Sequence, residues 1–338
     1  MGFWLIGYAF AYSHVYKFIG FDPKLAASNG FEDIEDDNYL YFVFYVAFAL
    51  TSSTIVLGAL AERTKLRCYI IYSFIHTSFL YPVVIGWTQS EGGWLYDLGY
   101  YDFAGASTVF MVGGAAGLVG TYLLGERYGK DKVRKAMQLK DEDRERALKA
   151  SAVVFEDNHK FEQIISKVNT EYHEAFKEWL TNHSTNEFRP YNQTYIVTGC
   201  LIVAIGWLFL AGGSCNSLFD ERANIAPKVI MNTLISGCTA CVLAVFIKPQ
   251  VLGTYSFVNR YDCVASCGGF LAGLVGVTGC ANYLEPYGAL VIGITSSLVY
   301  IGGCKLLDFL HIDDPIEACP VNLFCGVWGS IVTAFFHN

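Results

Sequence analysis

The chain is 338 residues long, 53% hydrophobic and only 16% charged, with a mean hydropathy of +0.35 and a net charge of -8. Soluble globular chains carry roughly 25% charged residues, so this composition excludes an ordinary soluble domain. In a membrane protein the net charge says little about partners, and no nucleic-acid partner is expected.

Apolar stretches of about 20 residues, enough to cross a bilayer core as a helix, recur along the chain. The first apolar run, Gly2 to about Ser13, is too short to cross. Eight full spans are predicted after it: Asn38–Leu60, Cys68–Trp87, Asp102–Leu124, Thr194–Ser214, Ile225–Ile247, Cys263–Gly279, Tyr287–Gly303 and Ala318–Phe336. Lipid offers no hydrogen-bond partners, so each must satisfy its own backbone as a helix. The first run is preceded by no basic region and followed by no small-residue cleavage site, so it does not read as a cleavable signal. Glycine-rich runs inside the spans, Gly-Gly-Ala-Ala-Gly at 113–117 and Gly-Gly-Phe-Leu-Ala-Gly at 268–273, destabilise soluble helices but let membrane helices approach closely. The fold class is therefore an all-α polytopic membrane protein, with about eight full spans and one partial one.

Between the third and fourth full spans lies the one long hydrophilic segment, so the chain divides into a membrane part at 1–125, a soluble charged helical insertion at 126–190 and a second membrane part at 191–338. Within the insertion, Val133–Ala150 reads as a helix laced with opposite charges. From Phe155 to Trp179, apolar residues recur at helical spacing. That stripe either folds back on the first helix or docks a partner. Counting alternate sides, nineteen of the 23 Lys and Arg fall on the side of Glu62–Arg67 and of the insertion. That places this side in the cytosol or its organellar equivalent, and the sequons at Asn182 and Asn192 are then expected to stay unglycosylated. Which membrane holds the chain is open, an organellar inner membrane or the plasma membrane.

Chemistry-bearing patterns are sparse. Most of the eleven cysteines lie in apolar stretches, where cysteine acts as a small hydrophobe. Cys238-x-x-Cys241 has no second pair or histidine to complete a metal site. No phosphate-cradling loop and no nucleophile motif occurs, so no enzyme activity, catalytic residue, metal or cofactor is expected. His76 falls within a span and reads as a packed, hydrogen-bonded residue.

Several motifs in order carry a resemblance. Gly58-Ala59-Leu60-Ala61-Glu62-Arg63 closes a span, and Asp102-Phe103-Ala104-Gly105 opens another that continues through Gly113-Gly114 to Gly120. Gly206-Trp207, Gly212-Gly213-Ser214, Asn232-Thr233, Ala272-Gly273-Leu274-Val275-Gly276-Val277-Thr278 and Ile312-Asp313-Asp314-Pro315 follow. In this register the chain resembles the ammonium transporter (Amt/Rh) family over nearly its whole length except 126–190. The resemblance implies a bundle of two inverted repeats of five helices around a narrow hydrophobic pore, an eleventh helix outside, and usually a trimer. Against that pattern the chain reads as truncated at both ends, beginning within the second helix and stopping after the tenth.

Carried over residue by residue, Trp87 matches the tryptophan and Ser214 the serine of the family's outer vestibule, where an ammonium ion meets an aromatic face and a hydroxyl acceptor. Phe48 matches one of the two stacked phenylalanines that gate the pore, and Leu210 stands at the other. Asp102 matches the helix-opening aspartate, whose role is read as a structural cap. The two central histidine positions are Phe110 and Asn322. Neither can relay a proton as imidazole does, and a bare cation in an apolar pore is costly. The resemblance thus implies a degenerate member that does not transport and serves as a structural or accessory subunit of a larger membrane assembly. Its partners would be lipid and other membrane subunits, met through 126–190 and the surfaces left bare by the missing helices. The alternative is an ammonium or ammonia channel with an atypical pore, with ammonium or ammonia as its substrate.

Overall fold

The computed structural model describes residues 1–31, 38–128, 192–216, 224–252 and 262–336. The insertion helix at 133–150, the 155–179 stripe and Asn182 lie outside these residues. Two compact units are resolved by chain contacts, Met1–Gly125 with Gln193–Asn338, and Glu126–Asn192.

Among the described residues, seven helices are long and apolar enough to cross a membrane: Tyr39–Ala59, Leu66–Thr88, Ala106–Leu124, Gln193–Gly213, Ile225–Val251, Pro286–Phe309 and Cys319–Phe336. The protein is an integral, multi-pass membrane protein. Ahead of the first span, a π turn at Phe3–Gly7 leads into a short helix at Tyr8–Ala11. The sequence predicts Cys263–Gly279 as an eighth full span, but the helix there is Cys263–Val277. Its 15 residues rise only about 22 Å. It can be short because protein, rather than lipid, covers its end. The carbonyls of Thr278 and Gly279 accept from the N–H groups of Ala104 and Phe103 at 3.2 and 3.0 Å, so these two backbone groups are not left to lipid.

The glycine runs sit where helices touch. A Cβ on Gly273 would stand 2.8 Å from the Ala240 Cβ and 2.9 Å from the Gly237 Cα, and one on Gly113 would stand 2.6 Å from the Ser52 carbonyl oxygen. These helices pack backbone to backbone, and buried hydroxyls and amides stitch them together. Ser236 donates to the Gly273 carbonyl at 2.7 Å, and Asn232 donates to the carbonyls of Ala281 and Leu284 at 3.0 and 2.8 Å. His76 is fully buried, with Nε2 2.9 Å from Ser52 Oγ and Nδ1 2.8 Å from the Tyr72 hydroxyl. Cys241 Sγ lies 3.1 Å from Ser266 Oγ.

At the end of the bundle that carries Glu62–Arg67, two devices tie helix ends together. The Arg63 guanidinium donates to the carbonyls of Ala59 and Asp313, each at 2.7 Å, and to that of Gly125. Lys248 Nζ sits 2.5 and 2.6 Å from the two Glu317 carboxylate oxygens and 2.6 Å from the Tyr300 hydroxyl, which itself donates to Glu317. Lys248 is buried on the helix Ile225–Val251, so three chain segments are bound by one ammonium group.

Asp314 lies just ahead of the last span. One carboxylate oxygen accepts from the Cys319 N–H at 2.6 Å while the other is buried without a partner. Burial pushes its carboxyl above the usual carboxylate range, only partly offset by hydrogen bonding from Cys319 and from the Ala318 backbone. A carboxyl whose folded pKa is raised holds more protons folded than unfolded, so stability falls as pH rises from its unfolded value, about 4, to its raised one. Asp314→Asn keeps the carbonyl acceptor and removes the charge. Thermal unfolding in detergent across this window is expected to lose that part of the pH dependence in the variant, with the Asn protein the more stable at neutral pH.

Candidate functional site

Three spans contain a π turn: Leu66–Thr88 carries one in its middle at His76–Leu80, and two others open with one. Ala106–Met111 is a π turn that continues into the α-helix Val112–Leu124, and Cys319–Phe324 is a π turn that continues into Cys325–Phe336. A widened turn inside a helix recurs at functional positions. Each of these last two follows an aspartate. Asp102 Oδ1 accepts from the N–H groups of Gly105 and Ala106 at 3.0 and 2.8 Å. Its Oδ2 accepts from those of Ser107 and Thr108 at 2.8 and 3.2 Å and from the Ser107 hydroxyl at 2.6 Å. Gly105, at φ +94°, supplies the left-handed residue that lets the chain fold back over that carboxylate. Asp314 plays the same part for Cys319.

The correspondence extends along both segments. Ala106, Val109, Phe110, Gly114, Gly117 and Thr121 recur at identical spacing as Ala318, Val321, Asn322, Gly326, Gly329 and Thr333. The two repeats were expected from the family resemblance, with Phe110 and Asn322 one on each; the matching of the other five positions was not drawn from sequence. In space the two segments cross. Gly114 abuts the backbone of Leu323, while a Cβ on Gly326 would stand 2.7 Å from the Ala106 carbonyl oxygen and 3.0 Å from the Met111 nitrogen. Phe110 and Asn322 therefore sit one turn from either side of the same backbone crossing.

What these two side chains do there differs. Phe110 is buried and lies face to face on Trp207 of the helix Gln193–Gly213, with ring centroids 4.4 Å apart and planes 7° apart. The indole N–H of Trp207 has no partner although it is buried. Asn322 turns its amide back onto its own turn and donates to the Ala318 carbonyl at 2.8 Å. No proton-carrying side chain stands at either position.

Phe48, Leu210, Phe110 and Trp207 share one apolar core. The Phe48 ring lies 4.9 Å from that of Phe44 with the planes tilted by 57°, and Phe44 in turn lies beside Gly213. Ser214 is buried at the helix end, and its hydroxyl donates to the Leu210 carbonyl at 2.9 Å. That bond occupies the serine's proton and leaves its oxygen lone pairs as acceptors. Trp87 is placed differently. Its indole N–H donates to the Phe18 carbonyl at 2.7 Å and its ring lies 6.4 Å from that of Trp94, so its contacts run to the loop at 14–20. Trp94 and Trp207 were not singled out as site residues from sequence. Among the described residues, no group of three or more His, Cys, Asp or Glu is placed to hold a metal ion.

The Asp102 cap invites a direct check. Asp102→Ala orphans four backbone donors at a half-buried turn, and is expected to cost about 2 kcal/mol, the upper end for a lost N-cap. Asp102→Asn, which keeps one acceptor oxygen, is expected to fall between. Chemical unfolding of the three proteins in mixed micelles orders them.

Comparison with known proteins places this geometry. The profile described as Ammonium Transporter Family matches residues 1–145 and 176–338. The chain belongs to that family. Ammonium transporter 3 of Dictyostelium discoideum is 30% identical over 340 residues, covering 99% of this chain and 65% of its own length. Ammonium transporter 1 member 1 of Arabidopsis thaliana is 29% identical over 355 residues, covering 99% and 59%. Among solved structures, one described as a sensor Amt protein superposes with a TM-score of 0.74 at 24% identity, over 100% of this chain and 71% of its own. Saccharomyces cerevisiae Mep2 does so with 0.71 at 22%, over 99% and 64%. The fold is that of the family, and the chain spans roughly three-fifths to two-thirds of the length of the curated relatives it matches.

Proposed function

We propose that this family member does not conduct ammonium and serves as a structural or accessory subunit of a larger membrane assembly. The Phe110–Trp207 stack carries the reading. At the crossing of the spans Ala106–Leu124 and Cys319–Phe336, the positions where the family resemblance implies a histidine pair hold a close-packed aromatic ring and an amide whose nitrogen donates to its own turn. An ammonium ion entering there would shed its water against a mostly apolar wall, with the Asn322 amide oxygen the one side-chain acceptor among these two positions, a loss that such a wall does not return. It could not hand its proton to Phe110 or Asn322 either. The hydrophilic insertion at 126–190 supports the second half of the reading, since it offers a charged, non-spanning segment to other subunits.

The second reading, conduction through an atypical pore, is favoured by the outer-end residues. Phe48 is retained beside Phe44, and Ser214 presents free acceptor lone pairs. The discriminating measurement is methylammonium uptake in cells stripped of their own ammonium transporters. No uptake above the empty vector is expected from the wild-type chain. Uptake that Ser214→Leu abolishes would sink the proposal. Size and composition of the particle extracted in mild detergent test the assembly half: a hetero-oligomer is expected, and a free homotrimer counts against it.

A further inference from the structure

The surface at the end of the bundle opposite Arg63 is built rather than loose. Two loops, 13–20 and 89–98, are joined by main-chain bonds. Val15 N–H donates to Glu91, Lys17 N–H to Gly92 and Trp94 N–H to Lys17, at 3.0, 3.0 and 3.1 Å. The indole of Trp87 donates to the Phe18 carbonyl, and the Trp87 carbonyl accepts from the N–H groups of Leu95 and Tyr96 at 3.1 and 3.0 Å. Gly92, at φ +79°, abuts the Val15 carbonyl, so no larger residue fits that seam. Both loops are thereby fixed to the end of the span Leu66–Thr88.

What this rigid platform displays is apolar. Tyr16, Phe18, Ile19, Phe21, Trp94 and Leu98 are all exposed, Tyr16 at 81% and Leu98 at 75%. In water, a soluble protein rarely leaves such a set uncovered. The set is also continuous with the lipid-facing side of the bundle. Phe21 meets Phe10 at 4.9 Å, and Phe10 meets Phe79 at 5.6 Å. Phe79 and its neighbour Leu80 are exposed within a membrane span. A ladder of rings thus climbs from the hydrocarbon level to the loops. Rings with a polar edge, as in Trp94 and Tyr16, belong at the headgroup level, and Lys17 can reach outward to phosphate while its stem stays among apolar neighbours.

We propose that loops 13–20 and 89–98 form a membrane anchor that lies within the phospholipid interface of the bilayer instead of projecting into water. Because Trp87 is bonded to the same platform, the anchor also fixes the wall on which that indole stands.

The test uses the full chain in native membranes, with the photocrosslinking residue benzoylphenylalanine placed singly at Tyr16, at Leu98 and, as a lipid-facing control, at Leu123. After irradiation, mass spectrometry is expected to find phospholipid adducts at Tyr16 and Leu98 as at Leu123. A band of doubled mass, a link to another protein, a link to another segment of the same chain, or no adduct at Tyr16 and Leu98 while Leu123 is labelled would each overturn the proposal. A conservative variant gives an independent reading. In nanodiscs of bromo-acyl phosphatidylcholine, the lipid-quenched part of the tryptophan fluorescence is expected to shrink in Trp94→Phe, and an unchanged quenched fraction counts against the anchor.

Discussion

Phe110→Ala is expected to destabilise the protein by about 3–5 kcal/mol, the range for removing a buried aromatic side chain without refilling its space. The site cannot collapse easily. Phe110 stands on a turn whose four leading N–H groups are clamped by Asp102, and one turn later Gly114 is pressed against Leu323. The backbone therefore cannot move in to fill the void. Phe110→Leu should cost less, since it keeps most of the volume and loses mainly the stack. Trp207→Ala and the double variant complete a cycle, in which the face-to-face pair is expected to show a coupling of about 0.5–1.5 kcal/mol. Unfolding in mixed micelles measures all four. Equal cost for Ala and Leu would mean that the ring is not packed as described.

The second large effect is expected at the end of the bundle that carries Glu62–Arg67. Lys248→Met should destabilise by about 3–5 kcal/mol, the usual result of removing one partner from a buried ion pair. Glu317 would then keep a carboxylate with only the Tyr300 hydroxyl beside it. The paired change Lys248→Met with Glu317→Leu removes both charges and is expected to recover most of the loss, because the pair's net worth against apolar packing is small. The same unfolding assay reads it. A double variant as unstable as the single one would show that the network gives more than charge compensation, through the contact of Lys248 with the Tyr300 ring at 4.7 Å.

Spans were legible in the sequence because hydrocarbon imposes one rule on every lipid-facing helix: about twenty apolar residues. That rule located all seven long spans. It misjudged Cys263–Val277, since a helix covered by its neighbours is released from the length requirement, and its composition looks the same. Glycine runs were legible as close contacts for a similar reason, as only backbone approach makes them economical inside a helix. The π turns were not. A widening by one residue leaves hydropathy untouched. At Ala106–Met111 and Cys319–Phe324 its traces were local, an aspartate ahead of each, Gly105 before one and Pro320 within the other, and the turn at His76–Leu80 lacks even the aspartate. Phe110 and Asn322 were found as positions by family resemblance, but the partner of Phe110 was not. Gly206-Trp207 was read as a motif, and nothing in its spacing says that the indole lies flat against a ring almost a hundred residues earlier.

The crossing of the spans Ala106–Leu124 and Cys319–Phe336 also bears on how the halves can move. Gly114 and Gly326 bring main chain against main chain, with no side chain between to act as a cushion or a ball joint. A joint of that kind resists sliding and tilting alike, because any relative displacement drives hard atoms together. Rocking one half of a bundle against the other needs room at the seam, and at Gly114 and Gly326 a Cβ would already stand within 3.0 Å of the opposite main chain. A seam of this kind favours a frame held still, as a structural subunit would use it.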